Sequence, residues 1–162
     1  MSSVFVDENC LLGTADALLL LQPNDEIRTI MSTPVFKVDS NDEYIFVLRG
    51  SQREFGYLTI KDFKKSALTS LSTLEGRFVP LVPRKCHTFA LGKFHGKFGA
   101  AVACDEIVKV FLFDHDKSAE EIHSFQLDQV PSSLIFTSTS IITGTEPMVS
   151  CLVVLNSSNS QD

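Results

Sequence analysis

A chain of 162 residues with 44% hydrophobic and 21% charged residues is apolar enough to bury a core, which excludes a mostly disordered segment and makes one domain the expectation. The 20 acidic residues against 14 basic ones leave a formal charge of −6, a field that opposes phosphate backbones and argues against nucleic acid as a partner. No early stretch runs from basic through apolar to small residues, and leucines 18–21 fall far short of the ~20 apolar residues of a membrane span, so a soluble intracellular protein is expected.

Short runs of Val, Ile, Leu and Phe, broken by turn-forming residues, favour strands over amphipathic helices along the chain. The first unit reads as strands at residues 3–7, 10–14 and 17–21, with turns at 7–9 and 14–16. A second unit holds strands at 35–38, 44–49 and 56–60, the last two joined across a polar hairpin loop at 50–54. Residues 61–84 change character, with Lys64, Lys65, a Ser/Thr-rich stretch at 66–73 and then Pro80 and Pro83, and read as a connection with one helical turn. Strands resume at 87–91, 100–104 and 107–113, the last two meeting at the tight turn Asp105-Glu106. A fourth group is expected at 121–126, 133–136, 140–143 and 149–155, and the polar tail 156–162 is expected to fray.

One internal match organises these strands. Placing Gly13 over Gly144 also places Phe5 over Phe136, Leu11 over Ile142 and Thr14 over Thr145. Hairpin centres near residues 14, 52, 105 and 144 then recur at roughly the 40 to 50 residue spacing of four-stranded propeller blades.

The run Cys10-Leu11-Leu12-Gly13-Thr14-Ala15-Asp16-Ala17-Leu18 resembles the "valine-Gly-Thr-Glu-x-Gly-Leu" opening strand of the citron homology domain. The run Lys85-Cys86-His87-Thr88-Phe89-Ala90-Leu91-Gly92-Lys93 resembles that family's "Gly-Cys-His-x-Phe-x-x-Gly-Lys" strand, and residues 107–113 resemble the apolar strand that follows it. Ser140-Ile141-Ile142-Thr143-Gly144-Thr145 resembles the "Ser-Ile-Leu-Ile-Gly-Thr" strand of the citron branch, and the whole likeness spans about residues 4–146. Two departures stand out. Ala17 occupies a position where the family has Gly, which implies a different backbone geometry at that turn. Glu146-Pro147-Met148-Val149 replaces the family's Gly- or Asn-containing hairpin, and Pro147 suits only an edge or a turn.

The resemblance implies an all-β fold, a partial β-propeller with antiparallel blades over residues 1–155, followed by the tail 156–162. Seven blades of about 40 residues need nearly 300 residues, so this chain supplies roughly half a ring. Open strand edges then invite self-association. The likeness also implies a non-catalytic scaffold module, closest to the citron Rho-interacting kinases. It would act in Rho-type small GTPase signalling, the actin cytoskeleton and cytokinesis, in the cytoplasm or at the cleavage furrow or midbody. Its partners would be cytoskeletal or cytokinetic factors and small GTPase signalling components. The alternative is the propeller of a vesicle-tethering or trafficking adaptor, or of another signalling kinase family. The chain carries no Gly-rich loop, Val-Ala-Ile-Lys strand or His-Arg-Asp loop of a kinase.

No cofactor and no metal are expected. Cys10, Cys86, Cys104 and Cys151 lie far apart without C-x-x-C spacing and read as buried, reduced thiols. His87, His95, His115 and His123 form no i, i+4 pair. Cys86 and His87 could suggest a nucleophile and its base, but adjacent strand residues point to opposite faces, so no catalytic residue is assigned. Asp105-Glu106 and Glu120-Glu121 read as solvated charge in turns. Residues 92–99 lack the order of a phosphate-binding loop and read as a flexible hairpin loop. The 13 phenylalanines should be mostly core. Lys93, Phe94, His95, Lys97 and Phe98 form the candidate protein-contact loop, with Phe94 or Phe98 as an aromatic anchor among cations that suit an acidic protein surface.

Overall fold

Turn residues cut this chain into strands that each pair with the next, and the outcome is a series of four antiparallel sheets. The structure, a computed structural model, describes residues 1–68, 70, 74–114, 117–145 and 149–154. Two compact units divide it, Met1–Cys86 and His87–Asp162.

In the first unit β1 (Ser2–Val6), β2 (Asn9–Gly13), β3 (Leu18–Leu21) and β4 (Ile27–Met31) form one sheet in chain order. β5 (Val35–Ser40), β6 (Tyr44–Arg49), β7 (Glu54–Thr59) and β8 (Val79–Val82) form the next, and α1 (Ile60–Leu68) and a 3₁₀ turn at Glu75–Arg77 lie between β7 and β8. In the second unit β9 (Cys86–Phe94), β10 (Lys97–Cys104), β11 (Ile107–Asp114) and β12 (Lys117–Gln126) pair in order, and β13 (Ser133–Phe136), β14 (Ser140–Thr145) and β15 (Val149–Val154) make a three-stranded sheet. No helix among the described residues is long and apolar enough to cross a membrane.

Most strands fall where the sequence places them, and the differences have physical causes. β8 contains Pro80, which argues against a central strand, but β8 is an edge strand where a missing N–H is tolerated. The single expected helical turn is a nine-residue helix, because Thr59 Oγ1 accepts a hydrogen bond from the Asp62 amide at 3.0 Å and caps its start. Asp62 in the first turn and Lys65 in the last complement the helix dipole. Residues 121–126 do not open a fourth group; they belong to β12, which pairs with β11 through Val108↔Phe125 and Lys109↔Ser124. Position 144 is not a hairpin centre but a strand residue of β14, paired with Ser133 and Ser150. The centres near 14, 52 and 105 do each lie between the second and third strands of a sheet. Expectations for Pro147 and for the tail fall outside the described residues.

The internal match is a match of register. Ser2↔Gly13, Ser3↔Leu12, Val4↔Leu11 and Phe5↔Cys10 in the first sheet repeat as Ser133↔Gly144, Leu134↔Thr143, Ile135↔Ile142 and Phe136↔Ile141 in the fourth.

Each unit has its own core. In the first, Val6, Leu11, Leu18, Leu20 and Ile30 meet Val35, Val38, Ile45, Val47 and Leu58, with Phe63 of α1 closing over them. Gly13 permits this approach, since a Cβ there would stand 2.6 Å from Val35 Cγ1. The β6 and β7 aromatics form a layer in which Phe46 stacks on Phe55 at 6.0 Å and Tyr44 meets Tyr57 edge-on at 5.3 Å. In the second unit Phe94, Ala101, Val108, Val110 and Ile141 surround Phe136. That ring sits in a notch made by two glycines: a Cβ on Gly92 would lie 2.7 Å from the Phe136 carbonyl oxygen, and one on Gly99 would lie 2.5 Å from its ring. Of the three cysteines whose side chains the structure describes, Cys86 is buried while Cys10 and Cys104 are half-buried thiols, so burial holds for one of them.

Burial holds the half-buried Lys37 of β5 below the ordinary lysine value of 10.5, with Asp39 partly opposing the shift. Burial likewise pushes Tyr57 above its ordinary 10.0. Between the lowered Lys37 pKa and 10.5 the unfolded chain binds more protons than the folded one, so stability is expected to rise with pH there. From about 10.0 upward the folded chain keeps the Tyr57 proton longer, and this contribution falls with pH. Urea unfolding across this range, repeated with Lys37→Met, checks the assignment: the variant should lose the alkaline rise and keep the fall.

Candidate protein-binding surface

The β9–β10 hairpin turns on His95 and Gly96, whose φ values of 50° and 75° are both left-handed. Two such residues in succession are what a two-residue hairpin turn matching the twist of its strands requires. The expected flexible loop over residues 92–99 is therefore corrected: only His95 and Gly96 form the turn, and Gly92 and Gly99 lie in strands where they seat Phe136.

This geometry sorts the five candidate residues. Consecutive strand residues take opposite faces, so Lys93 is exposed while Phe94 turns into the core at 5% exposure. His95 and Lys97 are exposed and Phe98 is half-buried. Lys93 Nζ stands 4.8 Å from the centre of the Phe98 ring, a cation–π contact that keeps the ammonium at the surface. Lys97 Nζ bonds Asp114 Oδ2 at 3.2 Å. The His95 ring rests edge-on against Phe94, with centroids 4.2 Å apart. The tip thus offers Lys93, His95, Lys97 and one flank of Phe98, while Phe94 fixes the turn from beneath.

Residues behind the motif strand have structural explanations too. Cys86 and Phe89 are fully buried, and Cys86 Sγ donates to the Arg84 carbonyl at 3.7 Å. His87 points the other way, and its Nε2 lies 2.9 Å from Asp105 Oδ1. Asp105 has φ 50° in the β10–β11 turn, so the acid read as solvated charge orients a histidine instead. No local signal in the sequence links the two, because they are 18 residues apart. Glu121 of the second acidic pair lies 3.8 Å from Lys109. No three His, Cys, Asp or Glu side chains among the described residues gather closely enough to hold a metal, and His115 is outside those residues.

At the β2–β3 turn, Thr14 Oγ1 accepts from the Ala17 amide at 3.0 Å and donates to the Ala17 carbonyl at 3.0 Å. The threonine side chain closes this turn with Ala17 outside the left-handed region, so no glycine is needed there. In the first unit a shallow cleft of about 280 Å³ opens between the β1–β2 and β5–β6 turns and α1, with Asp7, Asn41, Asp42 and Lys64 on its walls. Lys64 Nζ and Asp7 Oδ2 pair there at 3.0 Å, an arrangement the separate segments did not announce.

Four successive antiparallel meanders define the class of fold, a partial β-propeller. No protein-family model matches the sequence, and no curated protein matches it. Among solved structures the chain is similar to the one described as "AfRom2 CNH domain", CNH denoting citron homology, with a TM-score of 0.76 at 13% sequence identity. The likeness covers 95% of this chain and 51% of that one, so the chain spans about half the length of the structure it matches. Its fold is thus that of about half of a citron homology domain, as the Cys86-His87-x-Phe89 strand implies.

Proposed function

We propose that this chain is a non-catalytic protein-binding segment of a citron homology propeller, serving as a scaffold in Rho-type small GTPase signalling. The citron-like form of this reading gives it cytoskeletal or cytokinetic partners in the cytoplasm, at the cleavage furrow or midbody. The observation that carries it is the β9–β10 tip, where Lys93, His95 and Lys97 stand exposed on a chain of formal charge −6. A cationic cluster beside an aromatic flank complements an acidic protein surface, and rigid hairpin strands present it without ordering cost.

Lys93→Glu with Lys97→Glu tests the tip. Both side chains are exposed, so the melting temperature should hold while recovery of bound proteins by affinity purification from dividing cells falls at least tenfold, about 1.4 kcal/mol. Undiminished recovery would remove the tip as the contact. Quantified by mass spectrometry, the proteins lost should be Rho-type signalling and cytoskeletal factors. Loss of vesicle-tethering factors would instead favour the trafficking adaptor that the resemblance offers as its alternative.

A further inference from the structure

In the first unit, charge is sorted between the two ends of the sheets. The β1–β2, β3–β4 and β5–β6 turns hold Asp7, Glu8, Asp25, Glu26, Asp42 and Glu43. In an antiparallel meander the β2–β3 and β6–β7 turns fall at the other end, together with the connection that leaves β8. Backbone bonds tie that end together. The Val35 amide donates to the Thr14 carbonyl and the Gly50 amide to the Pro34 carbonyl, both at 2.8 Å. The Lys85 amide donates to the Gln52 carbonyl at 2.8 Å, and the Cys86 amide to the Arg53 carbonyl at 3.0 Å. Arg53, Arg84 and Lys85 are thereby set beside one another from two segments far apart in sequence, and the β2–β3 turn adds one acid, Asp16, to that end.

Other cations of this unit are matched: Arg28, Arg49 and Lys64 face Glu26, Glu54 and Asp7. Arg53 and Arg84 form no ion pair among the described residues. Glu54, next to Arg53 in the chain, is held by Arg49 at 3.0 Å. The Arg53 guanidinium instead lies 4.3 Å over the Phe36 ring. Stacking fixes the plane of a guanidinium and leaves its N–H fork to donate within that plane. Arg53 and Lys85 both have left-handed φ, 56° and 64°, and the two amide bonds hold that backbone in place. Arg84 and Lys85 are exposed. These groups lie at the end of a sheet rather than on its face, so face-to-face packing of sheets does not cover them.

We propose that Arg53, Arg84 and Lys85 form a phosphoryl-binding site that takes a phosphorylated side chain of a partner protein. A phosphorylated serine, threonine or tyrosine carries a charge of about −2 at neutral pH and several strong acceptor oxygens. An arginine fork meets such oxygens with parallel N–H bonds, and a lysine adds a point charge. A carboxylate brings less charge and fewer oxygens to the same cations. The chain as a whole, at a formal charge of −6, repels extended polyanions such as an anionic lipid surface. A compact anion that reaches only this cluster escapes most of that repulsion, which favours a phosphorylated side chain over a membrane. The site is separate from the β9–β10 tip, and neither reading needs the other.

Retention of the full chain on immobilised peptide libraries tests this. One library carries a fixed phosphoserine, phosphothreonine or phosphotyrosine among randomised positions, and the other carries the unmodified residue. Retention on the phosphorylated library is expected to be about tenfold the higher. Arg53→Gln and Arg84→Gln should each bring it down to the unmodified level, and Arg53→Lys, which keeps the charge but loses the fork, should lose most of it. Lys61→Gln, which removes an exposed cation of α1, should leave it unchanged. If Arg53→Gln fails to fold, Arg84→Gln decides alone, since its exposed side chain can be exchanged without a change in melting temperature. Equal retention on both libraries would overturn the proposal, as would phosphopeptide retention that neither arginine affects. Binding to vesicles containing phosphatidylinositol bisphosphate, with none to the phosphorylated library, would assign the cations to a membrane and overturn it equally.

Discussion

Phe46→Ala is expected to lower the stability of the first unit by about 3–5 kcal/mol, as truncation of a buried aromatic does. Phe46 lies at the middle of β6, fully buried, in a strand whose first five residues are all buried. Its ring stacks on Phe55 with an interplanar angle of 6°, and Tyr44 and Tyr57 flank it at 6.0 and 6.3 Å. Alanine removes the apolar transfer energy of the ring and leaves a cavity. The three remaining aromatics on the two paired strands cannot close that cavity without leaving their rotamers. Domains are typically stable by about 5–15 kcal/mol, so the loss is a large share of the whole. Urea unfolding followed by far-UV circular dichroism should show a lower midpoint, with Phe46→Leu between wild type and alanine. A loss below about 1 kcal/mol would mean that this aromatic layer does not hold the unit together.

The second large effect comes from a smaller change. Gly56→Ala, in β7, would set a methyl group against the Val79 carbonyl oxygen and the Phe78 ring, both well inside contact distance. Gly56 does not have a left-handed φ, so alanine meets no backbone strain, and in an open site Gly→Ala would stabilise by about 0.4–1 kcal/mol. Here the obstacle is the backbone of β8, which cannot rotate away as a side-chain tip can. Relief requires β8 to shift and Gly56↔Pro80 and Tyr57↔Val79 to separate. The Arg49 guanidinium, 3.7 Å over the Phe78 ring and paired with Glu54 at 3.0 Å, would lose its seat. We expect destabilisation of about 1–3 kcal/mol, the range for an overpacked site, with faster hydrogen exchange across β7 and β8. Gly76→Ala, where an added Cβ meets nothing within 4 Å, serves as the control and should leave stability within about 0.5 kcal/mol of wild type.

Much of the candidate surface can be read in the sequence, but not all of it. Lys93, His95 and Lys97 are exposed because they sit at and beside a tight turn, and Gly96 marks that turn. Phe94 and Phe98 have the same composition around them, yet one is core and the other half-buried. The difference is a single step of strand alternation, which becomes visible only once the turn is narrowed to His95 and Gly96. The His87–Asp105 pair is less accessible still, since it depends on how neighbouring strands are placed across the sheet. β8 shows the same limit from the other direction: Val79-Pro80-Leu81-Val82 has no strong strand signal, and it becomes a strand because β7 offers it an edge.

Local alternation and turn chemistry are enough to place the first three strands of each sheet and the repeated register of Phe5↔Cys10 and Phe136↔Ile141. Those are short-range properties: a turn sets which residues face each other, and a period of two sets which share a face. Which face becomes interior is not short-range. Phe5 and Phe136 occupy the same place in the same register, yet Phe136 is buried because two glycines of a neighbouring sheet receive it, while Phe5 is 71% exposed, with no sheet among the described residues of its own unit to receive it. Burial is a relation between sheets, and it is settled only when the sheets meet.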